Sequence, residues 1–228
     1  MYAMYDFLAK LTVSVLLLTF LTGICCSSCQ KRTSLSDYYF PIDEWTSEHL
    51  YTYESLSEPK MVDEVWQYGV HNTGDQLYFK GQALDHNQKV TQIVMEQRTD
   101  LGMVTDSMVM YWEDSNSVAQ RIDVKVINRA TFPFYENSKD TLLFKVKWTD
   151  PSNGLEYTLD RQRVLHGDTT LHIMGKDIRA KVFLLFEELE TFFVDDGATL
   201  SSWSGLEIYG EQIGLVYYKK EISPTLIR

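Results

Sequence analysis

The sequence predicts a mainly β chain: a single large, strongly curved antiparallel sheet, barrel-like and either open or closed, after an N-terminal signal segment. Three observations predict it. Apolar and polar residues alternate with a period of two over several stretches, turn-forming clusters interrupt them at short intervals, and helical periodicity is scarce. The composition agrees, because the 14 Tyr and 5 Trp are residues that strands accommodate well.

Residues 1–28 read as a signal. The apolar run Leu11–Ile24 suits a signal core and falls short of the roughly 20 residues that a membrane-spanning helix needs. The chain's 3 cysteines, Cys25, Cys26 and Cys29, follow it directly. A signal peptidase cleft admits little side-chain bulk just before the cut, and Ser27-Ser28 before Cys29 meets that need. The stretch resembles the bacterial lipobox, in which an aliphatic residue and two small ones precede a cysteine that becomes diacylated. Cys26 stands where the aliphatic residue belongs. The resemblance implies lipidation at Cys29 and a lipid-anchored protein of the outer membrane, facing the periplasm. Each buried methylene contributes about 0.8 kcal/mol, so two or three acyl chains make a lasting anchor.

Residues 29–47 read as a polar tether, and residues 48–228 as one antiparallel β domain. Turn signals divide that domain: Asn72-Thr73-Gly74-Asp75, Asp85-His86-Asn87, Asp100-Leu101-Gly102, Asp114-Ser115-Asn116, Asp150-Pro151-Ser152-Asn153-Gly154, Gly175-Lys176-Asp177 and Asp195-Asp196-Gly197. Between them, Val118–Ile127 alternates most cleanly. Val118, Gln120, Ile122, Val124 and Val126 share one face, while Ala119, Arg121, Asp123 and Lys125 share the other. Leu142, Phe144, Val146 and Trp148 oppose Lys145 and Lys147 in the same way. Val182–Phe193, rich in Phe and Val after a tight turn, reads as a long strand. Roughly ten to twelve strands result, and a twisted sheet of that size curls, splits or closes. A barrel of more than about eight strands has room for a cavity.

Charge narrows the function. The formal net charge is −11, and residues 1–28 hold one acid (Asp6) and one base (Lys10), so the mature domain keeps that value. Nucleic acid is an unsuitable partner, because its binding rests on phosphate neutralisation by Lys and Arg.

Val164–Lys176, with Tyr209-Gly210-Glu211-Gln212-Ile213-Gly214-Leu215-Val216-Tyr217-Tyr218, resembles a hairpin and closing strand of uncharacterised lipoproteins of Bacteroidota. That resemblance covers about a quarter of the chain and implies a wide, curved antiparallel sheet similar to those of lipoprotein and lipid carriers. It brings no catalytic residue and no cofactor.

Candidate sites are therefore weighed on chemistry. Met95, Met103, Met108 and Met110, with Tyr111 and Trp112, form an unusual apolar cluster, and Met and aromatic side chains adapt to irregular ligands. The candidates for a ligand cavity are Met95, Met108, Met110, Trp112, Phe144 and Trp148. His166, Asp168 and His172 flank one turn and are a weak candidate metal set. Ser57-Glu58-Pro59-Lys60 has a Ser-x-x-Lys spacing, but Pro59 argues against the helix that such chemistry needs. Glu187, Glu188 and Glu190, or Asp195 with Asp196, offer clustered carboxylates for a hydrolase. The favoured expectation is a binding module that buries an apolar ligand in the concave face of the sheet. An accessory subunit contacting an envelope protein partner comes second and a hydrolase third.

Overall fold

In a computed structural model, residues 33–56, 63–74, 76–114, 118–136, 141–193, 197–222 and 226–227 are described. The signal segment, Cys29, Ser57 to Lys60, Asp195 and Asp196 lie outside them. Among the described residues twelve strands follow one another: β1 His49–Tyr53, β2 Glu64–Thr73, β3 Gln76–Leu84, β4 Val90–Arg98, β5 Gly102–Glu113, β6 Ala119–Pro133, β7 Thr141–Thr149, β8 Glu156–Ile173, β9 Lys176–Phe193, β10 Gly197–Gly210, β11 Gly214–Ile222 and β12 Leu226–Ile227. From β1 to β11 each strand pairs antiparallel with the next, and β12 pairs with β10 beyond the end of β11. The predicted fold class holds.

The sheet curls into a nearly closed barrel with one unsealed seam, between β1 and β11. Among the described residues no backbone ladder joins these two strands; tyrosine side chains do. Tyr51 donates its hydroxyl to the Ile213 carbonyl at 3.1 Å, and Tyr53 donates to the Leu215 carbonyl at 3.2 Å. The Tyr53 and Tyr218 rings meet across the same gap, 6.1 Å between centroids.

The predicted alternation sets the two faces. Ile122 and Val124 on β6 and Phe144 and Val146 on β7 are buried, while Arg121, Asp123 and Lys125 are exposed. On β8 to β10 the pattern inverts in part. Arg163, Lys181, Glu187 and Glu207 are buried, whereas Phe186 is about half-exposed and Val164, Leu184, Leu206 and Ile208 are only partly covered. A two-residue turn, Met174-Gly175, joins β8 to β9 with both residues at positive φ, the backbone that suits the twist of a hairpin.

Residues 34–45 correct the tether reading. Leu35 is fully buried, and Tyr39, Phe40 and Ile42 nearly so, within the main core cluster. Leu35 N–H donates to the Phe134 carbonyl at 2.8 Å, and Gln212 N–H donates to the Asp37 carbonyl at 2.6 Å, fastening the segment to the barrel. Phe40 packs on Tyr68 and Phe79 at 4.7 and 5.1 Å, and Tyr39 on Phe79 and Phe132 at 5.5 and 5.2 Å. Gly214 makes room for this plug: its φ is +92°, and a Cβ there would lie 2.5 Å from Phe40 Cδ1. Half of residues 34–45 are apolar or aromatic, with Leu35, Tyr38, Tyr39 and Ile42 at i, i+3, i+4 and i+7, a signal that the polar, Ser/Thr-rich reading of the stretch passed over.

Candidate functional site

A cavity of about 360 Å³ lies inside the barrel, bounded by members of the plug-end core and of a second apolar cluster on β5 to β8. One wall is aromatic and aliphatic, with Trp66, Tyr68, Val94, Met108 and Leu159. The other is charged, with Arg161 and Arg163 on β8, Glu207 on β10 and Lys220 on β11, and Glu96 and Thr105 also line the space.

Local irregularity aims two of these side chains. Thr105 and Met108 are three residues apart, so a regular strand would send them to opposite faces. In β5, Glu96 pairs with Thr105 while Met95 pairs with Ser107, leaving Asp106 as the extra residue of a bulge. Arg129 on β6 holds that bulge, with Nε donating to the Thr105 carbonyl at 2.7 Å and Nη2 to Asp106 Oδ1 at 3.0 Å. The two side chains therefore face the cavity together. Thr105 Oγ1 is fully buried and has no hydrogen-bond partner among the described residues.

The charged wall comes from strict period-two placement on β8, β9 and β10. Arg161 and Arg163 are two apart, opposite Glu187 and Leu185 in register. Arg163 grips Glu207 with Nε at 2.6 Å and Nη2 at 3.1 Å, and Tyr209 donates its hydroxyl to the same carboxylate at 3.0 Å. Burial opposes the Glu207 charge, but the Arg163 guanidinium outweighs it and holds the carboxyl below the usual range. Burial also opposes the Arg163 charge, which Glu207 and its hydrogen bond more than restore, raising the guanidinium further. Burial together with the neighbouring Glu207 pushes the Tyr209 phenol well up.

Glu187 is shared by two cations, hydrogen-bonded by Arg161 Nε and 3.0 Å from Lys220 Nζ. Burial works against its charge, yet Arg161 and Lys220 together lower its pKa. Arg161 Cζ lies 5.7 Å from the centre of the Phe144 ring, within reach of cation–π attraction. Glu96 behaves in the opposite sense. It accepts the Tyr39 hydroxyl, and burial raises its pKa more than that bond and the two arginines lower it.

Of the six side chains named from sequence, Met108 and Phe144 line the cavity. Met110 and Trp148 pack against the neighbouring cluster of Val124, Phe144 and Val146, with Trp148 stacked on Tyr157 at 5.3 Å. Met95 lies between the cavity-lining Val94 and Glu96, so alternation points it to the opposite face of β4. Trp112 is about half-exposed. The weak metal set does not converge. Asp168 pairs with Lys181 at 2.5 Å and His172 with Asp177 at 2.9 Å, and among the described residues no group of three metal-ligating side chains occurs. The carboxylates offered for hydrolysis also separate, because Glu187 is buried while its neighbours Glu188 and Glu190 are exposed.

Arg161, Arg163, Glu207 and Lys220 had no place in the sequence reading. Their signal was a charged residue at a core-facing position of an apolar alternation, as in Leu159-Asp160-Arg161-Gln162-Arg163-Val164-Leu165. No protein-family model, curated protein or solved structure matches the chain.

Proposed function

We propose that this chain is a lipid-anchored binding module of the outer membrane, facing the periplasm, that holds a small organic ligand inside its barrel. One observation carries the reading: a cavity of about 360 Å³ inside the barrel, walled by Trp66, Val94, Met108 and Leu159 and by the cations Arg161 and Lys220. Pockets for small ligands span about 300–1,000 Å³, mostly apolar with a few placed polar groups, and this one has that make-up. The charged wall changes the ligand class from the purely apolar one expected from sequence, since an acyl chain alone would desolvate Arg161 and Lys220 without replacing their water.

The test is uptake of a neutral apolar fluorophore, N-phenyl-1-naphthylamine, by the purified domain. The expected result is one site per chain, lost when Met108→Trp fills the cavity. No uptake by the wild-type chain would remove the reading.

A second reading, an accessory subunit of an envelope assembly, is favoured by the outer surface of β7 to β10. There Leu143 and Phe186 are exposed beside the partly covered Leu184 and Leu206. A photo-crosslinking residue at position 186 that captures one defined envelope protein in cells would support it over the first.

A further inference from the structure

Resting on the binding reading, we propose that the cavity selects an anionic amphiphile, whose acid group is received by Arg161 and Lys220 while its apolar body lies against Trp66, Val94, Met108 and Leu159. The charge balance of the wall motivates this. Arg163 and Glu207 satisfy each other through two hydrogen bonds, so that pair is closed. Arg161 and Lys220 instead share the single carboxylate of Glu187. Two cations on one anion make this end of the cavity locally positive, while Arg163 with Glu207 is paired and the remaining lining carboxylates, Glu64 and Glu96, stand on β2 and β4.

Geometry makes that charge usable. Arg161 and Lys220 both line the cavity, while Glu187 is buried behind them. Among the described residues Arg161 engages only Nε, to Glu187, so the guanidinium edge opposite that bond remains for a second acid group. Guanidinium and carboxylate, sulfonate or phosphate form the strongest class of protein hydrogen bond. The Phe144 ring lies within cation–π reach of Arg161, and the Glu187 bond ties its Nε.

Two further carboxylates line the same cavity and restrict where an anion can sit. Glu64 is exposed and its carboxylate faces Trp66 Nε1 at 3.5 Å. Glu96 is hydrogen-bonded by Tyr39 on the plug, and its raised pKa weakens its repulsion of an incoming anion. Both keep the acid group on the β8 and β11 side, away from β2 and β4.

The experiment compares two fluorophores with the same ring system: 1-anilinonaphthalene-8-sulfonate, which carries an acid group, and N-phenyl-1-naphthylamine, which does not. The wild-type chain is expected to bind the sulfonate more tightly by about tenfold or more, the range that one charge-assisted contact gives. Arg161→Gln is expected to abolish that preference, read as the ratio of the two affinities in the same variant. Lys220→Gln, at a half-exposed side chain, provides the same reading should the first variant fold poorly. Equal affinity for both probes, unmoved by either variant, would overturn the acid selectivity while leaving the cavity reading intact. Failure of the wild-type chain to bind either probe would remove both. Sulfonate binding that survives Met108→Trp unchanged would place the probe on the outer surface and also overturn the proposal.

Discussion

The buried ion pair Arg163–Glu207 shows how single residues decide the behaviour of the interior. Removing one partner strands a charge away from water, so Arg163→Met is expected to lower stability by about 3–5 kcal/mol in chemical denaturation. Arg163→Met with Glu207→Leu should recover most of that loss, because no charge is then left unpaired. Glu96 and the pair Glu187 and Glu207 respond to pH in opposite senses. Glu187 and Glu207 titrate below their unfolded value of about 4.3, so they stabilise the fold above that pH and lose their contribution as pH falls through their folded values. Glu96 titrates above its unfolded value, so its contribution is present below about pH 4.3 and is lost as pH rises through its folded value. Glu96→Gln should therefore gain stability relative to wild type as pH rises across that window, measured by melting temperature from pH 4 to 8. None of these roles was legible beforehand. A charged residue on an apolar face reads as a break in the pattern until the strand opposite supplies its counter-ion.

Strands were the most legible layer. Ile122–Val126 and Leu142–Trp148 lie in β6 and β7 with the predicted faces, because each packs one side only and period two records it, whereas Val118 lies before β6 and it and Gln120 are exposed. The bulge at Asp106 was silent, since one extra residue in a strand leaves no compositional mark. The plug at 34–45 was missed for another reason: its apolar Leu35, Tyr39, Phe40 and Ile42 belong to no strand, and the only helical turn there is Ser36–Tyr38. The seam is a matter of side chains as well: β1 and β11 are joined through Tyr51 and Tyr53 rather than through a ladder. Replacing both, Tyr51→Phe with Tyr53→Phe, removes two hydrogen bonds worth about 0.5–1.5 kcal/mol each. Amide hydrogen exchange should then accelerate in β1 and β11 while β8 and β9, each paired on both sides, keep their protection. Equal acceleration throughout would mean that the seam is not the weakest join.

As a whole the molecule combines a proposed membrane anchor with a barrel plugged by the chain that leads into it. The described residues from Ser34 onward form one compact unit, so the plug is part of the domain rather than a spacer. Cys29→Ser should leave the product without fatty-acid label and release it from the membrane fraction, while a purified Ser34–Arg228 domain keeps its melting temperature. The curved sheet was legible from strand number and one-sided alternation. The interior chemistry was not, because it depends on which strands face each other across the barrel. Native mass spectrometry of the chain, drawn gently from the membranes that carry it, addresses that interior. One small organic acid retained per wild-type chain, and none in the Met108→Trp variant, is the expected result. A wild-type chain that carries only its own polypeptide and lipid mass, and takes up neither fluorophore, would contradict it.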